Sequence, residues 1–130
     1  MAELATELGI QPQTRKLTAV AVVRGVRLQL DSNDLVAVTG ANTIRGDFVA
    51  LQAGAASEFI AVAPMQDGLV PALAGPALTN DTTAVGETAY AVATTGTFTN
   101  SSASSAVAVG RWRTVTANSK LGSVQLFTVA

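Results

Sequence analysis

The sequence predicts an all-β protein: a small antiparallel β-barrel or sandwich of about seven to nine short strands with an extended N-terminal arm. Three observations predict this class. Apolar and polar residues alternate in short runs such as 26–30, which is the period of a strand buried on one face. Turn-forming Gly, Asn, Asp and Pro separate these runs. The length of 130 residues is typical of one domain, so we expect an arm over 1–16 and a β-domain over 17–130.

The arm differs in character from the rest of the chain. Residues 2–8 have the spacing of a short helix, with Leu4 and Leu8 on one face. A helix of that length is unstable alone in water, and the polar stretch that follows contains Pro12. We therefore expect residues 1–16 to be disordered or to order only against a partner.

Strand signals begin at Leu17. Residues 17–23 form a continuous apolar and β-branched run, which predicts a strand buried on both faces. In 26–30 the apolar residues alternate with Arg27 and Gln29, which assigns these two side chains to the polar face. The further strands are predicted at 35–39, 48–51, 59–63, 88–93, from 97, at 106–115 and at 124–129.

Residues 64–76 are the least regular segment and include Pro71. Because proline cannot donate to a sheet ladder, the segment is predicted to be a long loop or an edge excursion. Its apolar residues, among them Met65, Leu69 and Val70, indicate that the segment packs against another protein surface, in the same molecule or in a partner. Two alternatives are a cover over an open end of the barrel and an intermolecular contact.

Trp112 stands between Arg111 and Arg113 in the longest predicted strand. Neighbouring residues of a strand point to opposite faces, so the tryptophan and the two arginines are expected on opposite sides. One interpretation places Trp112 in the core and the arginines at an interface, where arginine is favoured. A second leaves the arginines in solvent, and a third makes Trp112 a surface anchor.

Composition limits the possible functions. The chain has no His and no Cys, which excludes Ser-His and Cys-His nucleophiles and imidazole or thiolate metal sites, so we expect no enzyme and no cofactor. A net charge of −1 argues against nucleic-acid binding. No Lys or Arg occurs between Arg45 and Arg111, which predicts a mildly basic face for an acidic partner or reflects chance in a weakly charged chain.

Alanine makes up much of the hydrophobic fraction of 48%, and an alanine-rich core stabilises a monomer weakly. Burial at a subunit interface is therefore expected. No secretory signal is recognisable, and no apolar run approaches the ~20 residues of a membrane span.

Four short motifs occur in order in the second half of the chain: Gly-Glu-Thr-Ala-Tyr at 86–90, Thr-Gly-Thr-Phe-Thr at 95–99, Val-Gly-Arg at 109–111 and Gly-Ser-Val-Gln-Leu at 122–126. Together with the strands at 35–39 and 59–63, they resemble the small β-barrel capsid cement, or head decoration, proteins of tailed bacteriophages. The resemblance extends over roughly residues 17–130, although segment 64–76 has no clear counterpart.

The resemblance implies a structural virion protein, made in the host cytoplasm, that binds the major capsid protein on the outer surface of the shell and reinforces it. It implies a homo-oligomer, with a trimer favoured, and no catalytic residue. From composition and charge we expect no cofactor, no nucleic-acid partner and no membrane partner. The alternative is a surface or fibre-associated β-module that binds carbohydrate or protein. The candidate capsid or subunit contacts are Leu4, Leu8, Ile10, Arg15, Lys16, Met65, Leu69, Val70, Arg111, Trp112 and Arg113.

Overall fold

The structure, a computed structural model, describes residues 12–18, 20–31, 34–37, 45–66, 68–92, 95–102 and 107–127. Over these residues the chain is all-β, which confirms the predicted fold class. The strands are β1 (Gln13–Leu17), β2 (Arg27–Asp31), β3 (Asp34–Ala37), β4 (Phe48–Ala50), β5 (Phe59–Pro64), β6 (Leu69–Leu73), β7 (Thr88–Ala91), β8 (Phe98–Thr99), β9 (Val107–Trp112) and β10 (Leu121–Leu126). A 3₁₀ turn, Thr79–Asp81, separates β6 from β7.

The first five strands close into a barrel in the order β1-β3-β2-β4-β5. The pairing of β1 with β3 is parallel, and the other barrel pairings are antiparallel. Closure leaves this sheet without a free edge. Its interior is filled by aliphatic and aromatic side chains, chiefly Leu17, Leu28, Leu35, Phe48, Ile60 and Val62.

The last five strands form a second, antiparallel sheet in the order β6-β10-β9-β7-β8. A β-bridge between Ala74 and Phe98 brings its two edges together. The core of this sheet contains Phe98 and Trp112, and Val49 and Ala63 of the barrel belong to the same cluster. The barrel and the second sheet are therefore joined by a shared core.

The N-terminal part of the fold corrects two predictions. Residues 13–16, which were assigned to the arm, form most of β1 and pair with β5. A strand over 17–23 is not formed: Leu17 is the last residue of β1, and the described residues that follow it in the run make one isolated bridge, between Val22 and Gly54. Val20 and Val23 are 44% and 52% exposed instead of buried. The pairing that orders this region therefore begins earlier in the chain than hydrophobicity suggests.

Segment 64–76 contributes a strand that its prolines obscure. Residues 69–73 form β6 at the edge of the second sheet, where Pro71 pairs with Ser123. An edge strand tolerates proline because the N–H that proline lacks would not be needed by a further strand. Met65 and Val70 pack into the core of the second sheet, so these apolar residues of the segment find their contacts inside the molecule.

Strand β9 carries an irregularity that changes which side chains face outward. Ala89 pairs with Gly110 and Tyr90 pairs with Ala108, which leaves Val109 as an extra residue in the manner of a β-bulge. The strict alternation predicted from the sequence assigns Val109 to the face of Arg111, and this assignment is wrong. The side chain of Val109 is fully buried in the core.

Candidate functional site

The predicted contact residues occupy three kinds of position. The first kind lies outside the described residues: Leu4, Leu8 and Ile10. The second kind is buried in the core of the second sheet, which removes the side chains from the surface: Met65, Val70 and Trp112. The third kind is exposed or half-buried: Arg15, Lys16, Leu69, Arg111 and Arg113. A contact surface on the described part of the chain is therefore sought among the last group.

Trp112 is an interior residue. Its ring meets Phe98 edge-on, with the ring centroids 6.4 Å apart, and its indole N–H donates to the carbonyl oxygen of Thr99 at 3.2 Å. These contacts satisfy both the apolar and the polar parts of the side chain. The interpretation of Trp112 as a surface anchor is wrong, and the interpretations that place it in the core agree with the structure.

Burial of Trp112 turns its two neighbours outward. Arg111 and Arg113 are exposed, and Arg111 pairs with Gln125 of β10. Val124 and Leu126 of β10 point inward, so the intervening and flanking residues of that strand lie on the same side as the arginines. We call this surface the β9–β10 outer face, and it consists of Arg111, Arg113, Leu121, Ser123, Gln125 and Phe127.

Apolar and cationic groups are in contact on this face. The guanidinium of Arg111 lies 5.9 Å from the centre of the Phe127 ring, and its Nη1 donates to the carbonyl oxygen of Gly86 at 3.1 Å. These contacts hold the arginine in one orientation while it stays exposed. Leu121 and Phe127 are 46% and 38% exposed, so the face presents hydrocarbon beside its positive charges.

The β9–β10 outer face belongs to a segment with no negative charge. Residues 107–127 contain Arg111, Arg113 and Lys120 and neither Asp nor Glu. Two nearby carboxylates are bonded to other groups. Glu87 accepts hydrogen bonds from the backbone N–H of Ala84 and the amide of Asn100, and Asp81 accepts one from Asn118. Strands β9 and β10 therefore contribute positive charge and no negative charge to this face.

A second, smaller group of exposed predicted residues lies on the barrel. The guanidinium of Arg15 stacks 5.2 Å from the centre of the Phe48 ring and donates to Gln13 at 3.1 Å. Lys16 pairs with Phe59 across β1 and β5, and Phe59 is 67% exposed. Lys16 and Phe59 resemble the β9–β10 outer face in chemistry, with a cation beside an exposed aromatic ring.

Sequence reasoning missed the role of Arg27. The alternation of 26–30 assigns it to the polar face of its strand, but the second sheet covers that face and Arg27 is fully buried. Its guanidinium donates to the carbonyl oxygens of Val92 and Thr97 and stacks 5.5 Å from the centre of the Phe98 ring. Desolvation by burial lowers its pKa from the usual value of an arginine to about 10. Arg27 is therefore an internal link between the barrel and the second sheet, and no local sequence pattern signals this.

Among the described residues, no group of three or more Asp or Glu side chains is arranged to hold a metal ion. Nor does that part of the chain contain a helix with the length and apolar character needed to cross a bilayer.

Comparison with known proteins leaves the chain without an assigned family. No protein-family model matches it, and no curated protein is significantly similar to it in sequence.

Proposed function

We propose that this protein is a structural virion protein that binds the outer surface of a tailed-bacteriophage capsid and reinforces the shell. The observation that carries the proposal is the β9–β10 outer face, a fixed, exposed surface of arginine and apolar side chains on a small β-fold. Arginine and aromatic residues are enriched in protein interfaces, which supports a binding role for this face.

The resemblance in sequence adds support, because its motifs coincide with positions where the fold has strict requirements. Gly86 and Gly96 have φ angles of +91° and +71°, which glycine adopts without strain. A Cβ at Gly110 would overlap the carbonyl oxygen of Gln125 and lie 2.8 Å from the side chain of Val124. The shared motifs therefore mark turns and close contacts of a β-fold of this kind.

The proposed partner is the major capsid protein, and the proposed state is a homo-oligomer, with a trimer favoured. Several identical copies held together would multiply modest contacts with the shell. For the alternative, a surface or fibre-associated module that binds carbohydrate or protein, Trp112 and Phe98 are fully buried and cannot stack on a sugar ring, which leaves Phe59 and Phe127 as the exposed phenylalanine rings of the described residues.

The test is co-sedimentation of the purified protein with shells assembled from the major capsid protein of the same virus but lacking this protein. We expect saturable binding to the outside of intact shells and a higher resistance of the bound shells to heat. A matched sample of unassembled capsid protein tests whether the assembled lattice is required. Absence of binding to the shells would overturn the proposal, and binding to a glycan array instead would favour the alternative.

A further inference from the structure

We propose that the β9–β10 outer face is the surface that docks on the shell, and that it recognises an acidic protein surface with an apolar centre. This inference rests on the proposed function and adds to it the location of the contact and the chemistry of the partner.

The first reason is the separation of charge along the chain. Residues 107–127 carry Arg111, Arg113 and Lys120 without an acid, whereas residues 46–110 carry Asp47, Glu58, Asp67, Asp81 and Glu87 without a Lys or Arg. All three basic side chains of the first segment are exposed. A partner that approaches the β9–β10 outer face therefore meets only positive charge from β9 and β10, and a complementary partner is negatively charged.

The second reason is the apolar component of the face. Leu121 and Phe127 are two of the large hydrophobic side chains that remain exposed, and Phe127 is in contact with the guanidinium of Arg111. Arginine beside aromatic and aliphatic groups is typical of the centre of protein interfaces. A nucleic-acid partner is disfavoured because such a surface needs many clustered cations, and the net charge of this chain is −1.

The third reason is that the face is held in shape before any partner binds. Backbone hydrogen bonds join β9 and β10 at both ends of the face, from Arg113 to Ser123 and from Phe127 to Val109, each at 2.9 Å. Arg111 is additionally held by Gly86. A preformed surface loses little conformational freedom on binding, which favours affinity.

The experiment measures co-sedimentation with capsid shells that lack this protein, at about 50 mM and about 300 mM salt, across which screening of exposed charges increases strongly. The variant is the double substitution Arg111→Gln with Arg113→Gln. Its matched control is Ala53→Glu with Ala56→Glu, which changes the net charge equally but lies in an exposed loop of the barrel. Thermal unfolding of each protein checks that it is folded, and Arg113→Gln alone serves if the double variant does not fold.

We expect the arginine variant to bind about tenfold more weakly than the wild type at the lower salt and to lose most of the salt dependence. The control should bind like the wild type. Equal binding of the arginine variant and the wild type would overturn the inference and leave the proposed function intact. Failure of the wild type to bind would overturn the proposed function itself. If the wild type, but not the arginine variant, bound naked DNA at the higher salt, the inference that the partner is a protein surface would be overturned.

Discussion

At the scale of the residue, the structure explains why particular small side chains stand where they do. Gly110 lies opposite β10, and the space that a side chain would need there is occupied by backbone rather than by a flexible side chain. Gly75 is less restricted, because the atom nearest to an added Cβ would be the side-chain oxygen of Thr97 at 3.3 Å. The two positions therefore separate the effect of a rigid obstacle from that of a yielding one.

We predict that Gly110→Ala destabilises the protein by about 3 kcal/mol, because β10 must move away from β9 to admit the methyl group. Gly75→Ala should cost no more than about 1 kcal/mol, since a threonine side chain can adjust by a few tenths of an ångström. Urea unfolding followed by the fluorescence of the buried Trp112 measures both. Equal stability of the two variants would contradict this account of the hairpin.

Among the elements of the fold, β2 is the one that links the two sheets. Its first residue, Arg27, reaches from the barrel to the carbonyl groups of Val92 and Thr97. The folded protein keeps this guanidinium away from water, which is why its pKa is lowered to about 10. In the unfolded chain the same group is hydrated and binds its proton more tightly. Folding is therefore less favourable with Arg27 charged, as it is at neutral pH, than it would be with Arg27 neutral.

The sign of the pH dependence follows from these two states. Between the folded pKa of about 10 and the higher pKa of the same group in the unfolded chain, the unfolded chain binds more protons, so the contribution of Arg27 to stability rises with pH. We predict that the stability of the wild type relative to Arg27→Met increases by about 1 kcal/mol from pH 9 to pH 11. The matched comparison with Arg24→Met, an exposed arginine in the adjacent turn, should show no such change. A constant difference for Arg27→Met would show that burial does not perturb this group.

How much of this could be predicted from the sequence differs between elements. Period-two alternation predicted the β-class and the placement of Trp112 on the side opposite to Arg111 and Arg113, because both depend on neighbours within one strand, but it left open which of the two sides faces the core. The same alternation failed at Arg27, since the second sheet covers its face, and at Val109, since the bulge arises from pairing with β7. Strand β1 was missed because its polar residues gain their order from partners distant in sequence. Local patterns therefore did not reveal which strands pair across long sequence distances or which strand faces are covered by another sheet.

For the whole molecule, the start of β1 determines how many N-terminal residues can be removed without opening the barrel. Strand β1 begins at Gln13 and pairs with both β3 and β5, so it closes the barrel. Removal of residues 1–16 would delete all of β1 except Leu17 and expose the edges of its two neighbours. Removal of residues 1–11 leaves every strand of the described residues intact.

We predict that deletion of 1–11 leaves the melting temperature within about 2 °C of the wild type, whereas deletion of 1–16 lowers it by about 10 °C or more. Circular dichroism during heating measures both truncations. In the shell-binding assay the shorter truncation should also bind more weakly, since the arm is expected to contribute contacts to the capsid. A stable protein after deletion of 1–16 would contradict the role of β1 in closing the barrel.

We propose that the protein decorates a capsid and docks through the β9–β10 outer face. The most direct test is a cryo-electron microscopy reconstruction of shells incubated with the protein. We predict additional density on the outside of the shell into which the fold fits, with Arg111, Arg113 and Phe127 directed at the capsid surface. Shells without such density, or density in which these three residues point to solvent, would contradict the account.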